Sequence, residues 1–229
     1  MTHADPDLTI VLLPGMDGTG DLFEPFTRCT PRGFAPLVVP LPASGDYDAL
    51  TGAVRDRLPS AGRFVLLAES FSGPLAVRLA ATMRERVLAV IFCNSFVAAP
   101  RRAILRLLPW TLLLALPRRD ALVRRLLTGR DASPELWAAV SRAIEQTPPR
   151  VLAQRMRAVF SLTDSAAPSG TPVLYLHGND DRLVPERAIA AVAVRSARFV
   201  RKDIAGPHLL LQASPADAWR EIIAFCADL

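Results

Sequence analysis

The sequence predicts an α/β chain: a mostly parallel, doubly wound sheet of about six strands, interrupted by one helical insertion. Three observations carry this. Short runs rich in Val, Ile and Leu recur along the 229 residues, each closing on a loop, and most are apolar at successive positions, as strands covered on both faces must be. Helical stretches lie between most of them, which is the alternation that parallel pairing requires. From 97 to 169 that alternation stops.

Taken in order, the strands are expected at 8–15 (LTIVLLPG), 35–42 (APLVVPLP), 64–70 (FVLLAES), 87–95 (VLAVIFCNS), 172–178 (PVLYLHG) and 197–206 (ARFVRKDIAG). Helices are expected from Asp46 to Leu58, Gly73 to Glu85, Pro185 to Val194 and Pro215 to Asp228. The stretch 97–169 carries only Leu-, Ala- and Arg-rich helical patterns punctuated by Pro100, Pro109, Pro117, Pro134, Pro148 and Pro149, so it reads as several short helices capping one end of the sheet. The expected organisation is therefore a core of 1–96 and 170–229 with a cap of 97–169.

Composition narrows the function classes. With 51% hydrophobic and 21% charged residues the chain is well cored, and its length suits one domain. The net charge of +5 comes from 26 arginines and one lysine set against 22 acids. Aromatic residues are few and do not interleave with the arginines, which argues against nucleic acid as a partner. Cys29, Cys93 and Cys226 form no C-x-x-C pair, and an odd count argues for reduced thiols and a cytoplasmic location, with Cys93 packed as a small apolar residue. The N-terminus lacks a basic leader, and its apolar run is too short for a signal peptide core. The longest apolar stretch, 103–117, falls short of a membrane span and contains Arg106 and Pro109, so any membrane contact is peripheral. No metal site or cofactor is expected.

The stretch 66-LLAESFSGPLA-76 places two serines where a strand meets a helix, the setting of a nucleophile elbow. An elbow holds its serine in a strained backbone conformation and needs small residues two before and two after it. Around Ser70 these are Ala68 and Ser72; around Ser72 they are Ser70 and Pro74, whose ring fits the crowded position poorly. Ser70 is the better nucleophile, against the alternative that both hydroxyls cap the following helix. An acid and a base are expected on later loops at the carboxyl ends of strands. The loop after 172–178 offers Asp180 and Asp181. Of three histidines, His3 lies in the terminus and His177 is still within a strand, which leaves His208 in the Gly-Pro-His turn. The glycine-rich loop 13-LPGMDGTG-20 presents backbone N–H groups for an oxyanion, with Met16 and Phe71 as the expected donors and Gly15 and Asp17 at the substrate. It has neither the ending of a P-loop nor G-x-G-x-x-G spacing, which argues against nucleotide binding.

Taken together, L-P-G-x-D-G-T-G, A-E-S-F-S-G, H-G-x-x-D-x-x-V-P and G-P-H resemble the serine α/β-hydrolase superfamily over nearly the whole chain outside the cap. The resemblance implies the α/β-hydrolase fold, with the first strand standing where that fold has its third and no N-terminal antiparallel hairpin. It selects Asp181 as the acid, with Asp180 as a substitute. The chain departs from the superfamily pattern at Ala68 and Ser72, where glycines are usual, and at Pro14-Gly15, where many members have histidine-glycine.

Acyl transfer from a small-molecule ester through a Ser70–His208–Asp181 triad follows, with short to medium apolar acyl chains as the expected substrates. Leu105, Leu107, Leu108, Trp110, Leu112, Leu113, Leu114 and Leu116 are more apolar than one helix face requires; most should pack the cap onto the body, and a minority, Trp110 first, should line the acyl site. Residues 97–165 hold 12 arginines and 5 acids. Arg101, Arg102, Arg118, Arg119, Arg124 and Arg125 would suit an anionic acyl carrier or coenzyme A thioester, as in superfamily members that bind carriers on the cap, although a solvated basic surface accounts for the same residues. The loop at 13–20 also resembles that of plastid-type phytyl ester synthases, which leaves acyl transfer to an alcohol as a further reading. A hydrolase-fold binding protein with an idle triad is the non-enzymatic one.

Overall fold

The computed structural model describes residues 7–100, 103–115, 120–130, 132–163, 170–194, 196 and 198–229. Six strands form one sheet: β1 (Leu8–Leu13), β2 (Phe34–Val38), β3 (Phe64–Glu69), β4 (Val87–Cys93), β5 (Val173–Gly178) and β6 (Phe199–Ile204), in the order β2-β1-β3-β4-β5-β6, every pair parallel. The order reverses at β1, which puts β1 and β3 side by side. In open parallel sheets, sites form beyond the carboxyl ends of the strands at such a switch point.

Successive residues of the inner strands enter opposite layers, which is why these runs are apolar throughout. Val11, Leu13, Leu66, Ala68, Val90, Phe92, Val173 and Tyr175 pack with α2 (Tyr47–Arg55), α3 (Gly73–Thr82) and α8 (Glu186–Ala193). Ile10, Leu12, Val65, Leu67, Ala89, Ile91, Leu174 and Leu176 pack against α1 (Glu24–Arg28), α9 (Leu210–Ala213) and α10 (Pro215–Cys226), where Trp219 stacks on Phe26 with ring centroids 4.5 Å apart. Cys93 lies in this second layer, fully buried. The edge strands β2 and β6 are only partly buried, and both are shorter than the sequence pattern suggests. Pro40 and Pro42 cannot donate to a ladder, which accounts for the early end of β2. The expected helices also run one to three residues too long at their ends, where the helices close at Asp56, Met83, Val194 and Ala227, Met83 alone having left helical backbone geometry.

Between β4 and β5 the described residues form a 3₁₀ turn over Ala103–Leu107 and the helices α4 (Trp110–Ala115), α5 (Asp120–Thr128), α6 (Pro134–Gln146) and α7 (Pro149–Ser161). Two anchors hold this insertion. Val159 and Phe160 of α7, with Leu105 and Trp110, join the layer of α2 and α3. Val140 and Ala143 of α6 pack on Leu22 and Leu209. No helix among the described residues is long and apolar enough to cross a membrane.

Candidate active site

Four loops meet beyond the carboxyl ends of β1, β3, β5 and β6. At the end of β3, Ser70 has φ 47°, a left-handed conformation that a residue with a side chain adopts only under strain. The surroundings enforce it. Ser72 is fully buried and donates its hydroxyl to the Pro14 carbonyl, and Ser95 donates to the Ser70 carbonyl. A Cβ on Gly73 would lie 2.2 Å from the Phe96 carbonyl oxygen, so α3 starts with glycine because the chain after β4 presses against it. With its hydroxyl committed to Pro14 and no exposure, Ser72 ties the turn after β3 to the loop after β1, while Ser70 is the partly exposed serine of the pair.

His208 Nε2 lies 2.8 Å from Ser70 Oγ, and its Nδ1 lies 3.0 Å from Asp181 Oδ1. A carboxylate only accepts, so in the neutral ring Nδ1 carries the proton and Nε2 accepts from the serine. Both side chains are enclosed, at 4% exposure for His208 and 0% for Asp181. Burial raises the Asp181 pKa, but the His208 hydrogen bond and charge and the N–H groups of Leu183 and Val184 outweigh it and hold the carboxyl below its ordinary value. Asp180 is exposed, with its backbone N–H bound to the Gly206 carbonyl. His177 pairs with Asp203 at 2.8 Å, and His3 lies outside the described residues.

The loop after β1 crosses beside Ser70: a Cβ on Gly15 would stand 3.9 Å from Ser70 Cβ. Asp17 turns its carboxylate inward, where Oδ2 accepts from Thr19 N and Oγ1, and its carbonyl accepts from Thr147 at the end of α6. Met16 is partly buried and Phe71 fully so, with the Tyr47 hydroxyl donating to the Phe71 carbonyl.

Three buried polar residues around this site escaped the sequence reading. Arg155 of α7, 1% exposed, donates to Ser44 O at 3.0 Å, Met16 O at 2.7 Å and Pro42 O at 2.8 Å, and its guanidinium lies over the Phe71 ring. Gly18 (φ +72°) makes room for it, since a Cβ there would be 2.4 Å from Nη1. Asn94, after β4, is fully buried at φ 43°; its Nδ2 donates to the carbonyls of Pro207 and His208 at 3.0 and 2.9 Å, and its Oδ1 accepts from Gly178 N at 2.8 Å. Glu69 is 1% exposed. Burial lifts its carboxyl to about 7, with Asp17 adding to the rise and Gln212 and His208 opposing it. Gln212 lies close enough to act on it without meeting hydrogen-bond geometry, so Glu69 Oε1 and both terminal atoms of Gln212 are buried without partners among the described residues.

The residues of the inserted segment fall into two groups. Leu105 and Trp110 face the body, with Trp110 stacked on Phe160 at 5.5 Å and its indole N–H bound to the Leu105 carbonyl. Leu107, Leu108 and Leu112 are exposed, which corrects the expectation that they pack the inserted segment or line an acyl site: in the 3₁₀ turn and the start of α4, Leu105 and Trp110 take the side that meets the body. Arg124 donates to the Ala132 carbonyl. Arg101, Arg102, Leu116, Arg118 and Arg119, and the side chains of Leu113 and Leu114, lie outside the described residues.

From residue 43 to 205, more than half its length, the sequence matches the hydrolase family described as serine aminopeptidase, S33. The chain belongs to the S33 serine hydrolase family. Solved structures agree with the fold of an S33 hydrolase. A hydrolase from Oleispira antarctica superposes with a TM-score of 0.81 at 15% identity, over 99% of this chain and 93% of its own. A thermophilic esterase from Thermogutta terrifontis gives 0.80 at 18% identity, over 97% and 90%. The RedJ thioesterase of prodiginine biosynthesis in Streptomyces coelicolor gives 0.70 at 22% identity, over 100% and 90%. No curated protein matches the sequence.

Proposed function

We propose that this S33 hydrolase cleaves carboxylic esters through an acyl-enzyme on Ser70. The observation that carries the reading is the 2.8 Å contact of Ser70 Oγ with His208 Nε2, at a serine whose positive φ projects its hydroxyl from the strand end. Ser70 attacks the ester carbonyl while Nε2 takes its proton, and Asp181 fixes the imidazole through Nδ1 and stabilises the imidazolium. The backbone N–H groups of Met16 and Phe71 receive the oxyanion; Arg155, bound to the Met16 carbonyl, sets the direction of that loop. The imidazolium protonates the leaving alcohol, and water then repeats the sequence to free the acid.

Residues 97–169 act as the cap in this reading, supported by Thr147 on Asp17 and Arg155 on Met16. For the acyl chain we assign a cleft of about 540 Å³ whose apolar wall is Leu22, Pro25, Leu136, Ala139 and Ala143, which reaches Gln212 and is lined on its polar side by Asp21, Glu24, Glu135 and Arg142 among others. None of the triad lines it; its link to the chemistry is Gln212, whose amide neighbours Glu69 beside the nucleophile. A cleft of this size favours short to medium apolar chains. Ser70→Ala abolishes turnover of p-nitrophenyl esters, and a series from acetate to palmitate peaks below the longest chains; undiminished activity in the variant contradicts the nucleophile, and a flat series contradicts the cleft.

Thioester hydrolysis is the second reading, favoured by the likeness to the RedJ thioesterase. It uses the same triad, and comparing acyl-carrier thioesters with oxyesters of the same acyl group decides between them. Product analysis in mixed alcohol and water separates hydrolysis from transfer to an alcohol.

A further inference from the structure

Leu105 and Trp110 fix the start of the inserted segment against the core, and the residues around them turn the other way. Leu107 is 73% exposed, Leu112 69% and Leu108 37%, while Arg106 and Thr111 are exposed beside them. Single exposed leucines are ordinary, but three within six residues on one projecting turn make a patch that marks an interaction surface.

Charge selects the occupant. From Val97 to Arg119 the sequence holds five arginines and no acid. Arg106 stands within the patch, and Arg157 of α7, also exposed, reaches Thr111 Oγ1 at 3.5 Å. A second copy of the chain would set arginine against arginine, with +5 on each partner. A bilayer with anionic headgroups accepts both features at once, since leucines enter the headgroup–acyl boundary while guanidiniums stay at the phosphates.

We propose that the turn from Arg106 to Leu112 docks on an anionic lipid surface, with Leu107, Leu108 and Leu112 entering it and Arg106 and Arg157 meeting the phosphates. The surface stands independently of the chemistry assigned to Ser70.

The test is sedimentation of the full chain with vesicles rich in phosphatidylglycerol and with vesicles of phosphatidylcholine alone. The protein is expected to sediment with the anionic vesicles, less so as salt rises. Leu107→Ser combined with Leu112→Ser should weaken binding on the order of a hundredfold, and Arg106→Gln about fivefold. Hydrolysis of a soluble p-nitrophenyl ester by the double variant stays at the wild-type level, so that readout follows the active site and not the surface. Leu112→Trp gives a second report, its emission shifting to the blue on anionic vesicles. Absence of wild-type sedimentation, equal binding to both vesicle types, binding unchanged by the leucine substitutions, or binding to an acidic carrier protein alone would each overturn the proposal.

Discussion

Replacing Arg155 by methionine removes the guanidinium while keeping much of the side-chain volume. Three part-buried carbonyls, those of Met16, Pro42 and Ser44, then lose their donor. A fully buried unsatisfied acceptor costs about 1–3 kcal/mol, and with water able to reach part of these the summed loss of stability is about 2–3 kcal/mol. The loop also loses the bond to the Met16 carbonyl, one peptide on from the Met16 N–H, and displacement of that proposed oxyanion donor lowers kcat by about 10²–10³. Lysine at this position keeps the charge but cannot reach three diverging carbonyls with one ammonium, so Arg155→Lys should recover stability more than turnover. Urea denaturation paired with p-nitrophenyl butyrate kinetics reads both quantities. A folded Arg155→Met enzyme with kcat within about threefold of wild type would refute the assignment of the loop as the oxyanion site.

Other consequences are as direct. Asp181→Asn should lower kcat about 10⁴-fold, because the amide favours the wrong histidine tautomer, while Asp180→Asn leaves turnover unchanged. Asn94→Ala frees the Pro207 and His208 carbonyls and should reduce kcat about 10- to 100-fold with KM little changed; a KM effect alone would place Asn94 in substrate binding instead. Glu69 has a folded pKa of about 7 against an ordinary 4.5, so the stability favouring its neutral form is complete below 4.5 and is lost as pH rises to about 7. Glu69→Gln should remove a pH-dependent loss on the order of 3 kcal/mol across that window, read from urea midpoints at pH 5 and pH 8; identical slopes in both proteins contradict a buried protonated carboxyl.

The three side chains that the fold brings together at the candidate site were legible because each stands just after a strand. Ser70 follows β3 in a run of small residues, Asp181 lies on the loop after β5, and His208 follows β6, so alternation and loop position locate them without contacts. Arg155 and Asn94 lack such a signal. Arg155 is one of 12 arginines in 97–165, and only the fold shows that this one turns inward to carbonyls over a hundred residues away. Asn94 reads as the polar end of a strand, and its role depends on β5 lying next to β4. The leucines of the inserted segment were misread for a related reason: composition shows that the segment is apolar, but whether Leu107 meets the core or solvent depends on which side of the short 3₁₀ turn Leu105 turns to the body.

The most direct measurement is active-site labelling. A fluorophosphonate should add once per chain, on the peptide containing Ser70, and Ser70→Ala or His208→Ala should prevent it. Labelling at Ser72, or no labelling of the folded wild-type protein, would contradict the account.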